Sequence, residues 1–186
     1  MRLFKIIFIL LFFVGLPEAW SHSSNKVLII SSYSTDYMWS NSIIDALNAT
    51  LKENYPALEL NIEYLSSEQF TEPKSWVRKL NILFQNYEEC PPLAVVLISD
   101  EALMAYRAAD RSHIKDTPVI LCAVKPHSIS IDDYCKKYNT LQFSDFTSTE
   151  SLLPKYNATG IIRSMNINGY INLMLKFNPH TDGFVL

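Results

Sequence analysis

The chain has 186 residues, 48% hydrophobic and 19% charged, with 16 Lys and Arg against 19 Asp and Glu. That is a globular composition sized for about one domain, without the basic excess that a nucleic-acid backbone or an anionic membrane attracts. Only four glycines are present, too few for a phosphate-cradling loop or a dinucleotide fingerprint, so small molecules or proteins are the expected partners and nucleic acid is not.

At the N-terminus, Arg2 and Lys5 precede an apolar run from Ile6 to Leu16, and Ala19-Trp20-Ser21 puts small residues where a signal peptidase reads. This predicts a signal peptide over 1–21 with cleavage before His22, and a periplasmic location. Eleven apolar residues in a helix reach about half of a hydrocarbon core of roughly 30 Å, which argues against a membrane anchor. No Cys follows the cleavage position, so a lipid anchor is not indicated.

The first strand is predicted at Lys26 to Ser32 (KVLIISS), a β-branched run of the kind buried on both faces of a parallel sheet. After the loop Tyr33 to Tyr37, Trp39, Ile43, Leu47 and Leu51 recur every four residues, predicting a helix that ends near Pro56. Leu58 to Leu65 alternates apolar with polar and reads as a half-exposed or edge strand. A second stripe, Trp76, Leu80, Leu83, Phe84 and Tyr87, opens at Pro73 to Ser75 and closes before Pro91. Leu93 to Ile98 is the third strand. Ser99 and Asp100 have the chemistry of caps for a third helix from Glu101 to about Ala109.

Pro118 to Val124 (PVILCAV) is the fourth strand, with Cys122 read as a small buried hydrophobe. Residues 125 to 157 are less regular, with a short helix placed at Ser130 to Tyr138. Gly160 to Arg163 is the fifth strand and Asn166 to Phe177 a helix. Gly183 to Leu186 (GFVL) resembles another strand starting, so the chain is expected to be truncated within a longer fold. Strands alternating with helices predict an α/β class, a doubly wound parallel sheet in three layers.

In such sheets the ligand crevice lies beyond the carboxyl ends of the strands, where strand order reverses. After strand one that rule selects Ser31, Ser32, Tyr33, Ser34, Asp36, Tyr37 and Trp39; after strand three, Ser99, Asp100 and Glu101; after strand four, Lys125, Pro126 and His127. Each has a plainer reading. Asp100 has the place of a helix cap, Trp39 continues the core stripe, and Lys125 is solvated. Tyr33 and Tyr37 sit on the loop itself, where packing has less claim.

Catalytic and metal constellations are thin. His22, His113, His127 and His180 lack ligand spacing, and Cys90, Cys122 and Cys135 are odd in number and far apart, allowing one bridge at most. There is no Gly-x-Ser-x-Gly elbow or His-Glu-x-x-His, and Asp100 and Glu101 diverge around a helix. The reading is a binding module without catalytic residues, metal or cofactor.

The block KVLIISSYSTDYMW with its following helix resembles the opening of extracytoplasmic modules related to type 1 periplasmic binding proteins. LAVVLISDEALMAY, DTPVILCAV and TGIIRSMNINGYINLMLKFNPHTDGFVL follow in the order of that family's third strand and helix, fourth strand and crossover. The resemblance implies two lobes closing on a ligand: 22–159 as the N-terminal lobe, 160–186 as the crossover and the start of a second lobe. It implies Ser32, Tyr33, Trp39, Asp100, Glu101 and Lys125 as ligand-binding positions. It further implies the ligand-sensing domain of a two-component sensor histidine kinase, read by a membrane kinase module. The runner-up is a free substrate-binding protein read by an ABC permease, and a secreted hydrolase fragment ranks third. Pairing into a homodimer is a further expectation for the chain.

Overall fold

The computed structural model describes residues 24–136, 141–164 and 167–178. The proposed signal peptide, His22, His180 and the strand start at Gly183 to Leu186 lie outside them. Among the described residues no helix is long and apolar enough to cross a membrane.

Five strands make one parallel sheet: β1 (Lys26–Ser31), β2 (Glu59–Tyr64), β3 (Ala94–Ile98), β4 (Val119–Val124) and, after a small excursion, a strand at Ala158–Ile162. Between the first four run α1 (Met38–Asn54), α2 (Pro73–Gln85) and α3 (Asp100–Ala108). The excursion holds a two-stranded antiparallel pair, β5 (His127–Ile129) and β6 (Phe146–Ser148), with short helices α4 (Ile131–Tyr134) and α5 (Thr149–Leu152). The strand Ala158–Ile162 is then β7, and α6 (Ile167–Phe177) follows it. The order across the sheet is β2-β1-β3-β4-β7, an α/β three-layer arrangement.

Strand alternation sorts the core into two faces. Leu28, Ile30, Val95, Leu97, Val119 and Leu121 pack with the Trp76, Leu80 and Phe84 stripe of α2 and with the Ala102–Tyr106 run of α3. Val27, Ile29, Val96 and Ile98 point the other way, onto Ile44 of α1. β1 and β3 are buried on both faces because every apolar residue has a helix above or below it, which is why they read as continuous runs. β2 is an edge strand and keeps Glu59 and Ile62 exposed.

The α1 stripe is phased differently from its spacing. Ile44 is buried, whereas Ile43 and Leu47 are partly buried and Trp39 is 39% exposed, so Trp39 is no core residue. The physical reason is coverage: the cluster under α1 draws on β1 and β3, with Cys122 of β4 at its margin. Farther along that face Ile120 and Ile161 stay exposed. Cys122 is likewise only partly buried.

Gly160 sits opposite Leu121 with φ +146°, and a Cβ there would lie 2.0 Å from the Leu121 carbonyl oxygen. Beside it β4 bulges: its register with β7 shifts between Cys122 and Val124, and Ala123 has φ +57°. An extra residue of this kind bends a strand end and re-aims the side chains after it, here Lys125.

Candidate functional site

β1 has β2 on one side and β3 on the other, so the order of connection reverses between β1 and β3, and a crevice opens beyond their carboxyl ends. Ser32 lies at its base rather than on its rim. Its hydroxyl accepts the Ala102 N–H at 2.9 Å and donates to the Ile98 carbonyl at 2.9 Å, and the residue has no exposure. The third amide of α3 is therefore capped from a neighbouring strand, and no cap bond comes from Ser99 or Asp100.

Ser99 does something else. Its backbone takes φ 73°, ψ 178°, a region populated essentially by glycine and costing a larger residue on the order of 1–3 kcal/mol. It is held there by its N–H to the Cys122 carbonyl at 3.0 Å and by the capped helix that starts at the next residue. The strain turns the chain sharply from β3 into α3, so that α3 opens at the crevice.

Asp100 is a brace across the rim. Its carboxylate accepts the Lys125 N–H at 2.7 Å and pairs with the Lys125 ammonium at 3.3 Å, tying the end of β4 to the start of α3. Lys125 remains largely solvent-exposed, and its carbonyl accepts the Thr149 hydroxyl at 2.7 Å. Glu101 is the least satisfied group: its Oε2 is buried and has no hydrogen-bond partner. A buried carboxylate oxygen without a donor costs free energy until something supplies one. Asp100, Glu101, Lys125 and His127 line a cavity of about 150 Å³ with Met104 and Tyr134.

Above the base stands an aromatic platform. Tyr33 stacks on Tyr37 with ring centres 4.3 Å apart and meets Trp39 edge-on at 6.4 Å. Burial raises the Tyr33 phenol above its ordinary pKa; a long 3.5 Å contact from the Ser99 hydroxyl works against this, and the charges of Glu101 and Asp100 add to it. Through the Ser99 contact the platform adjoins the start of α3, where Asp100 and Glu101 follow. Arg163, just after β7, lies over the Trp39 ring at 6.0 Å. Tyr33, Trp39, Asp100, Glu101 and Lys125 thus share one rim, with Ser32 beneath them. Arg163 was not among the sequence candidates, although reading the residues after the fifth strand by the same rule would have found it. The strain at Ser99 has no sequence signal.

No family model and no curated protein matches the chain. A solved structure titled as a conserved domain protein from Vibrio cholerae O1 biovar El Tor strain N16961 is similar in fold, with a TM-score of 0.51 at 17% sequence identity. The match covers 83% of this chain and 44% of that one, so the chain spans less than half the length of that neighbour.

Proposed function

We propose that the chain forms the first lobe of an extracytoplasmic ligand-binding module of the type 1 periplasmic-binding-protein kind. Its role is that of the small-molecule-sensing domain of a transmembrane two-component sensor kinase. The observation that carries this reading is the rim itself. A strained Ser99 opens a helix at the switch point, a carboxylate oxygen is buried there without a donor, and a stacked aromatic platform stands beside it. Strain held at a crevice is characteristic of ligand sites, and apolar rings with a few convergent polar groups are what small-molecule sites are made of.

Glu101 selects a ligand that brings a hydrogen-bond donor, such as an amine or a hydroxyl, and the Tyr33–Tyr37 stack selects one with a flat or apolar face. Closure then follows from differential affinity: a ligand touching both lobes favours the closed state, and the attached partner reads that shape.

The test is a thermal-unfolding screen of the two-lobed protein that begins with this chain against amino acids, aromatic amines, nucleosides and monosaccharides, run in parallel on Tyr33→Ala. A compound at about 100 times its Kd stabilises by about 2.7 kcal/mol, an effect expected to shrink in the variant. A folded protein whose midpoint no compound in these classes moves, or a hit that binds Tyr33→Ala unchanged, counts against the reading.

A further inference from the structure

A second cavity, of about 640 Å³, lies away from the rim, between α2, α3 and the segments around 131 and 155. Its lining carries four cations, Lys74, Arg78, Arg107 and Lys155, against one carboxylate, Asp132. The whole chain has a net charge of −3, so this concentration of positive charge is local and opposite in sign to the average. Among the described residues none of the four cations forms an ion pair; the ion pairs there are Lys79–Glu63, Lys125–Asp100 and Lys136–Asp133.

Two of the cations are also positioned. The Arg107 guanidinium donates to the Ser128 hydroxyl at 2.8 Å and to the Ile129 carbonyl at 3.1 Å, which fixes its plane, while its Nε–H is buried without an acceptor. Lys155 extends over the Tyr156 ring at 5.4 Å. Asn81 gives its side-chain oxygen to the Asp110 N–H, which leaves its amide nitrogen as a donor on the same wall.

Four like charges around one concavity repel one another, the more so at low salt, and a bound anion removes that cost. Guanidinium groups in particular match the geometry of phosphoryl and carboxylate oxygens.

We propose that this groove is an anion-binding site, separate from the crevice, for a compact small-molecule polyanion carrying phosphoryl or clustered carboxylate groups. Its volume falls in the range of small-molecule sites, about 300–1,000 Å³. The groove borders the crevice through Met104, which lines both cavities, and through Arg107, which pins β5 to α3.

Calorimetric titration of the full chain with inorganic pyrophosphate and, separately, tricarballylate tests the site and tells the two anion types apart. Saturable binding of at least one probe, weakening as salt is raised, is expected. Lys74 and Arg78 are exposed, so Lys74→Gln/Arg78→Gln keeps the fold and is expected to weaken binding by about tenfold or more. Asp132→Asn is expected to tighten it, and Lys79→Gln, outside the groove, to leave it unchanged. Retained unfolding midpoints establish that the variants are folded. Absence of saturable binding for both probes, equal affinity in the double variant, or weaker binding in Asp132→Asn overturns the proposal.

Discussion

Replacing Ser32 by Ala removes one oxygen from a fully buried residue and almost no volume, so the effect is one of hydrogen bonding rather than of a cavity. The Ile98 carbonyl keeps its bond from the Ser32 backbone N–H at 3.1 Å and is not orphaned. The Ala102 amide is: it loses its 2.9 Å acceptor at a residue with no exposure, where water cannot replace it. Loss of a helix cap costs about 0.5–2 kcal/mol and an unpaired buried donor about 1–3 kcal/mol. Both figures describe the same amide, so they are not summed, and the expected cost is about 2 kcal/mol. For a chain of this length that lowers Tm by about 4–8 °C. Denaturant unfolding with an unchanged slope measures it directly. Ser99→Ala is the control, because the Ser99 side chain makes no cap bond; it is expected within about 0.5 kcal/mol of the parent. A neutral Ser32→Ala with a costly Ser99→Ala would return the cap to Ser99 and refute the cross-strand account.

Ile44→Ala is expected to cost about 2–5 kcal/mol by denaturant unfolding, and the half-buried Leu47→Ala clearly less; the reverse order would mean that α1 is rotated about its axis. Gly160→Ala forces a Cβ onto the Leu121 backbone and is expected to cost about 3 kcal/mol or more, read as loss of Tm or of soluble protein; a near-normal midpoint would contradict the β4–β7 register. Burial raises the Tyr106 phenol above 10.0 against the lowering effect of Arg111, so the folded state favours the neutral form. That contribution is complete below pH 10.0 and is lost as pH rises through the folded-state value, so Tyr106→Phe is expected to flatten the alkaline fall of stability; an unchanged fall would contradict it.

What could be read in advance follows from how local each determinant is. β1 and β3 were legible because burial on both faces leaves an unbroken apolar run, and the edge position of β2 because one exposed face imposes alternation. β4 has the same apolar run although Ile120 stays exposed on its α1 side. The Trp76 stripe was legible because α2 is covered along a whole face. The phase of α1 was not, since Trp39, Ile43 and Leu47 have helical spacing whether or not a neighbour covers them. β5 and β6, three residues each, are too short to show any period. The short helix expected at Ser130 to Tyr138 is found at Ile131–Tyr134, where Ser130 accepts the Asp133 N–H at 3.1 Å; residues 137–140 lie outside the described part.

At the candidate site, the rule of strand ends named Tyr33, Asp100, Glu101 and Lys125 but not the partners they hold. The cap on α3 comes from a residue 70 positions away, and Asp100 spends its carboxylate on Lys125 rather than on its own helix. Neither partnership leaves a trace in local spacing. The basic groove was hidden for a related reason: net charge averages over the surface, and Lys74, Arg78, Arg107 and Lys155 become neighbours only once α2, α3 and the 155 turn are folded together.

The crevice beyond β1, β3 and β4 is proposed as the place where a small molecule binds. Amide NMR of the isotope-labelled full chain, titrated with a compound that raises the unfolding midpoint, tests it most directly. Shifts are expected to concentrate at Tyr33, Trp39, Ser99, Glu101 and Lys125 and to disappear in Tyr33→Ala. Shifts that leave these residues unmoved and gather elsewhere would contradict it.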